Sequence, residues 1–248
     1  MQNNFYFIGY CSNIYKDPSG RSEVTSQIIY GEKFKILAKN KNWIKIKTLF
    51  DNYTGFIKNS KYIKKFSPNY KVSSLKAKIF KKPGLGTNSW LPFASKLSVL
   101  EQNSNYVKIE KNKWIRKTDI KKLNHIENNF IKIFKKFLNV KYVWGGKTFH
   151  GIDCSALLQI FFYYNSSFYP RDTKDQIKYA KRNSKKRKFK KGDIIFWKGH
   201  VAMCLNSKQL IHAYGPERKV IIMPIIETIN RIEKTAKLKV KKVSRIKY

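Results

Sequence analysis

Carboxylates are scarce in this chain: 15 Asp and Glu stand against 53 Lys and Arg in 248 residues, a net charge of +38. Such a surplus raises nucleic acid or an anionic surface as a partner. The distribution argues against nucleic acid, because lysine is scattered over every segment with Asn and Ile, and no ordered basic stripe interleaved with aromatics is present. We read a solvated basic surface. The densest run, Lys185-Lys186-Arg187-Lys188 with Lys190 and Lys191, reads as an exposed loop before a strand, able to attract an anionic substrate. Cysteine is as sparse. Cys11, Cys154 and Cys204 are too few and too unevenly spaced for a disulfide framework. No CxxC or His-rich spacing suggests a metal site, so the expectation is a reducing compartment with neither metal nor cofactor. No run approaches the ~20 apolar residues of a membrane span. Met1-Gln2-Asn3-Asn4-Phe5 lacks the basic start of a secretory leader, and a cytoplasmic location is expected.

The apolar fraction of 42% and aromatic fraction of 15% support order nearly throughout, and the length suffices for two or three small domains. Up to about residue 122, short alternating segments are broken by Gly, Pro, Asn and Ser, the pattern of small β-barrels. They repeat. Ile14-Tyr15-Lys16-Asp17-Pro18 matches Ile79-Phe80-Lys81-Lys82-Pro83, and Gly31 to Leu37 matches Ala94 to Leu100. Trp43-Ile44-Lys45-Ile46 matches Tyr106-Val107-Lys108-Ile109, and Gly55-Phe56-Ile57 pairs with Lys113-Trp114-Ile115. Two copies of one all-β unit follow, over 1–65 and 66–122.

From Asn124 the period changes. Ile126, Phe130, Ile133, Phe134 and Phe137 recur at helical spacing, with Asn124 as N-cap and Glu127 completing a capping box, so a helix is expected to about Leu138. A second helix follows from Cys154 to about Tyr164. Strands are expected near 193–197, 201–205, 209–212 and 219–223, and Pro224 opens a last helix through Ile232. This third domain, 123–248, reads as α+β, helices first and an antiparallel sheet after.

The informative stretch is Tyr142-Val143-Trp144-Gly145-Gly146 followed by Gly151-Ile152-Asp153-Cys154-Ser155-Ala156-Leu157. A thiol opening a helix faces unpaired N–H groups and the positive end of the dipole, which lower its pKa and can hold an oxyanion. Gly199-His200-Val201 and Ile211-His212-Ala213 lie on two strands joined by Asn206-Ser207-Lys208, a hairpin that can bring both imidazoles to one edge. Cys154 as nucleophile, His200 as base and His212 as the orienting residue form a three-part activation. Cys204 reads as an inert core residue, and His125 and His150 as surface or capping residues. Around Cys154 the flanking Asp153, Ser155 and glycines indicate a polar, open setting.

Taken together, Tyr142–Gly146, Asp153–Leu157, Pro170-Arg171-Asp172-Thr173, Lys191–Phe196, Gly199–Val201 and Ile211-His212-Ala213 resemble the ordered motifs of NlpC-type cell-wall endopeptidases. The all-β repeats before them resemble bacterial SH3-like barrels, as in the dipeptidyl-peptidase VI subgroup acting on γ-D-glutamyl–diamino acid bonds. The resemblance implies a papain-like catalytic domain preceded by two small SH3-like barrels, an overall α+β fold. It implies a cysteine peptidase with Cys154, His200 and His212 in the roles above, needing no cofactor. Tyr142 is expected near the thiol, helping to bind the oxyanion, with Trp144 of the same motif also binding substrate. Asp172 is expected to meet the amino group of an N-terminal L-alanine, with Asp153, Ser155 and Thr173 as further binding candidates. A loop cap or an ion pair with Arg171 is the other reading of Asp172. Ala156 and Ala202 stand where the family usually has Gly. The implied partner is a peptidoglycan-derived peptide, L-Ala-γ-D-Glu-diamino acid, handled in wall recycling, with the barrels closing one side of the cleft. An acyltransferase using the same Cys-His pair and a non-catalytic wall- or polyanion-binding protein are the alternatives.

Overall fold

A computed structural model describes residues 4–181 and 188–246, and the chain divides into two units, Met1–Ile126 and Glu127–Tyr248. Alternation builds the first. In the strand Trp43–Thr48, Ile44, Ile46 and Thr48 are buried while Lys45 is exposed, so one face meets the core and the other meets water. Seven antiparallel strands run in the order Val24–Ile29, Cys11–Tyr15, Thr54–Lys58, Trp43–Thr48, Lys33–Asn40, Asn4–Phe7, Tyr62–Ile63. They enclose Phe7, Ile14, Ile28, Phe34, Ile44, Ile46 and Ile57. Each such apolar side chain contributes about 1.5–3 kcal/mol on burial.

A second set of strands in this unit forms a five-stranded sheet, in the order Leu85–Pro92, Lys76–Lys82, Lys113–Arg116, Tyr106–Glu110, Glu101–Gln102. A three-stranded sheet, Lys96–Leu97, Tyr70–Val72, Ile120–Lys122, accompanies it. Their core includes Ile79, Leu97, Val107, Ile109 and Ile115. These are the repeat counterparts of Ile14, Phe34, Ile44, Ile46 and Ile57. Gly31 and its counterpart Ala94 both hold positive φ, +77° and +66°. At Gly31 a Cβ would fall 2.2 Å from the Lys96 carbonyl oxygen, so only glycine fits. Tyr30 sits in the second core and its hydroxyl donates to Glu110 at 2.7 Å.

The second unit has helices α1 (Phe130–Lys136), α2 (Cys154–Tyr164), α3 (Thr173–Tyr179) and α4 (Ile225–Ala236). Its antiparallel sheet has the order Lys219–Pro224, Gln209–Tyr214, His200–Cys204, Asp193–Trp197, Lys242–Arg245. α2 is predominantly apolar and is buried along its whole length, packed on the strand His200–Cys204. Phe130 and Phe134 of α1 meet Phe161 of α2 with ring centroids 6.4 and 6.1 Å apart. α4 buries Ile225, Thr228 and Ile232 at helical spacing and ends at Lys237 in the left-handed conformation. No helix among the described residues is long and apolar enough to cross a membrane.

Three local expectations are corrected. α1 starts at Phe130, not after Asn124, because the Glu127 backbone is held by the Asn165 side chain (N–H to Oδ1 2.9 Å, Nδ2 to carbonyl 3.2 Å). The Glu127 carboxylate reaches forward to the Asn129 N–H at 3.2 Å instead of back to a cap. α3 was not expected, since only Thr173 and Gln176 of its seven residues are buried and no apolar stripe marks it. The closing strand Lys242–Arg245 was also unexpected; it covers the edge of Asp193–Trp197, where Arg245 Nε pairs with buried Asp193 at 3.0 Å. Of the basic run, Lys185 to Arg187 lie outside the described residues, and Lys188, Lys190 and Lys191 are exposed.

Candidate active site

The start of α2 is braced from several directions. Asp153, the N-cap residue, accepts from the Ala156 N–H (2.7 Å), the Gly145 N–H (3.0 Å) and the Ser155 hydroxyl (2.9 Å). Arg171 then forks onto both carboxylate oxygens at 3.0 and 2.7 Å, and its Nη1 also donates to Ser155 Oγ at 2.9 Å. All three side chains are buried. Gly146 lets the preceding loop close, because a Cβ there would fall 2.5 Å from the Gly151 carbonyl oxygen. Gln176 of α3 donates to the carbonyls of Ser155 and Pro170, both at 2.9 Å.

Cys154 is 6% exposed, so the open setting expected from its neighbours is replaced by a closed one. Its thiol faces the Gly199 carbonyl at 4.0 Å and is hydrogen-bonded by the Val201 N–H and the Thr173 side chain. Burial and then the Asp153 carboxylate push the thiol pKa up to about 12, against the pull of Val201, Thr173 and Arg171. The lowering expected from the helix start is therefore outweighed.

Gly199 and Val201, which touch the thiol, flank His200. The strands His200–Cys204 and Gln209–Tyr214 pair with Met203 opposite Ile211. Continuing that register sets His212 diagonally across from His200 on one face. His200 Nε2 lies 2.9 Å from His212 Nδ1. Burial lowers His200 to about 4, and burial, with His200 and Arg231, holds His212 well below the ordinary range. At neutral pH the resting groups are a thiol and two uncharged imidazoles. Tyr214 stacks on His212 at 4.5 Å, and Met223 Sδ stands 3.3 Å from His212 Nε2.

The structure thus gathers Cys154, His200, His212 and Thr173. Tyr142 is half-buried, and its phenol is held protonated by burial and then by the proximity of Cys154 and Asp153. Trp144 is 60% exposed. Asp172 occupies the N-cap position of α3 without a side-chain cap bond, and Lys174 Nζ stands 3.9 Å away. Burial raises its pKa, while Arg171 and Lys174 pull the other way. The direct ion pair of Arg171 is with Asp153. Cys204 is fully buried in the core, His125 is half-buried and His150 is exposed. Arg171 as a brace, Gln176 and Met223 were not singled out in the sequence; only the place of Arg171 within the Pro170–Thr173 motif offered a signal. Among the described residues no cluster of His, Cys, Asp and Glu is arranged to hold a metal ion.

A thiol opening a buried helix, with a pair of neutral imidazoles on two adjacent inner strands of an antiparallel sheet, is the equipment of a cysteine peptidase. Residues 139–236 match the NlpC/P60 family, and residues 14–61 match the bacterial dipeptidyl-peptidase Sh3 domain. The chain carries both domains and is a cysteine peptidase. It is similar to the gamma-D-glutamyl-L-lysine dipeptidyl-peptidase of Bacillus subtilis, 23% identical over 232 residues, covering 83% of this chain and 77% of that protein. It is also similar to dipeptidyl-peptidase 6 of Lysinibacillus sphaericus, 21% identical over 240 residues, covering 85% of this chain and 87% of the other. A crystal structure of an NlpC/P60 family protein from Bacillus cereus shares its fold, with a TM-score of 0.81 at 19% identity over 98% of this chain and 99% of that one.

Proposed function

We propose that this enzyme hydrolyses γ-D-glutamyl–diamino acid bonds in peptidoglycan-derived peptides, releasing a dipeptide and the diamino-acid portion. The observation that carries the reading is the Cys154 thiol at the start of α2, with the residues flanking His200 against it and His212 behind. The relatives named for γ-D-glutamyl-L-lysine and dipeptidyl-peptidase activity support the choice of bond.

In the proposed reaction His200 takes the Sγ proton as the thiol attacks the amide carbonyl. The oxyanion is held by the N–H of Cys154 in the first helical turn and by the Tyr142 hydroxyl. His200 passes its proton to the leaving amine, and a water activated by the same imidazole releases the dipeptide from sulfur. Thr173 steadies the thiol, and Asp172 receives the substrate's N-terminal ammonium. Asp153 and Ser155, whose polar atoms are engaged within the protein, brace the helix start in place of the binding role first expected for them. Trp144 offers an exposed face to the peptide. We further infer that the first unit is a duplicated SH3-like module of two barrels, from the equivalent core positions of its two strand sets.

The test is mass spectrometry of L-Ala-γ-D-Glu-meso-diaminopimelate and its L-lysine counterpart, incubated with wild type and Cys154→Ala. L-Ala-γ-D-Glu and free diamino acid are expected from the wild type, with at least about a 10³-fold loss in the variant. Release of a new amide in place of the free acid would favour acyl transfer, and cleavage at the L-Ala–D-Glu bond would overturn the specificity.

A further inference from the structure

The two-imidazole chain ends on an atom that can only accept. Met223 Sδ lies 3.3 Å from His212 Nε2, and a thioether has no proton to give. A hydrogen bond there requires the proton on His212 Nε2. A neutral imidazole carries one N–H, so His212 Nδ1 is left with a lone pair, 2.9 Å from His200 Nε2. That contact then needs the proton on His200 Nε2. His200 Nδ1 is left unprotonated, as the nitrogen free to take a proton from the thiol.

We propose that Met223 is a positioning residue: its sulfur, by accepting from His212, sets the tautomers of both imidazoles and keeps His200 in the form able to deprotonate Cys154. The inference rests on the reading of Cys154 as nucleophile and His200 as base. In the reversed chain, His212 Nδ1–H would donate to His200 Nε2, His200 Nδ1 would carry its proton toward the thiol, and two lone pairs would face each other across the Met223 contact. After proton transfer His200 is an imidazolium, and its Nε2–H still donates to His212 Nδ1, so no further proton need move.

The surroundings hold this order in place. Met223 lies on Lys219–Pro224, opposite Leu210 of the next strand, and packs against the core containing Tyr214 and Ile225. Tyr214 lies parallel to His212, with 12° between ring planes, so the imidazole presents its edge nitrogens within the ring plane to His200 and Met223. Burial keeps both imidazoles neutral at physiological pH, the condition under which a tautomer, not a charge, is what must be chosen.

The test compares full-length wild type, Met223→Leu and Met223→Gln, with ¹⁵N-labelled histidine and with steady-state hydrolysis of L-Ala-γ-D-Glu-meso-diaminopimelate. In the wild type both His200 and His212 should show a protonated Nε2. Met223→Leu, similar in volume and without an acceptor, should bring in the second tautomer and lower kcat about tenfold, with KM within about twofold. Met223→Gln restores an acceptor oxygen and should recover most of both. A wild-type ¹⁵N pattern in Met223→Leu, or an equal fall in kcat in both variants with no tautomer change, would overturn the proposal. The ¹⁵N measurement needs no substrate, so it stands apart from the peptidase reading, which His200→Ala tests separately through loss of hydrolysis.

Discussion

The two units bury polar groups to different ends. In the first, buried Ser26, Glu32, Thr48, Lys71 and Ser95 are spread among strands whose cores are otherwise apolar, and Glu32 accepts from the Ile29 N–H at 3.2 Å to close a turn. In the second, Asp153, Ser155, Arg171, Thr173 and Gln176 converge on a single helix start, with His212 behind His200. A strand-rich core built by alternation leaves most of its charge in water and scatters the few polar groups it buries. The helix start that carries the Cys154 thiol is instead held by a hydrogen-bonded polar cluster inside the protein.

Removing one member of that cluster should have the largest effect on stability. Arg171→Met leaves Asp153 as a buried carboxylate without its cation, and about 3–5 kcal/mol of the second unit's stability should be lost. Calorimetry should show the second unit's transition falling while the first unit's stays; a common fall would erase the contrast between the units. The mirror experiment is Ile57→Ala in the first core, where a cavity should cost about 2–5 kcal/mol and lower only the first transition.

Acidity and alkalinity give the smallest step, at most about 1.4 kcal/mol per pH unit for each group, but in different windows. His200 and His212 have folded pKa values below the unfolded value of 6.5, so between about 6.5 and 4 the unfolded chain binds more protons, and the second unit should lose stability as pH falls. Lys71, lowered to about 8 by burial and then by Lys96, acts on the first unit. Between about 8 and 10.5 its unfolded form is the more protonated, so the first unit should gain stability as pH rises. Melting temperatures followed from pH 4 to 10 check both; a first unit sensitive to the acid window and a second insensitive to it would break the comparison.

Much of this was legible in the chain. The helix opened by Cys154 could be read from the apolar run that follows it, and it spans Cys154–Tyr164 with Asp153 as its N-cap. The four strands expected after residue 190 are present, and the helix after Pro224 followed from a proline at a permitted position. The repeat spacing marked residues that fill equivalent core positions in two strand sets. Less legible were α3, whose buried residues are Thr and Gln, and the closing strand Lys242–Arg245, whose Lys-Val-Ser-Arg carries no apolar alternation. The start of α1 falls later than the spacing suggests because the side chain that holds the Glu127 backbone lies 38 residues away, on Asn165.

The sequence by itself determined which elements present Cys154, His200 and His212, because caps, periods and turns act over a few residues. Only the tertiary structure decided that Arg171 forks onto the Asp153 carboxylate, that the Cys154 thiol rests protonated, and that a methionine sulfur stands at the far nitrogen of His212. Those outcomes depend on desolvation and on contacts between distant strands, and neither exists until the chain has closed around them.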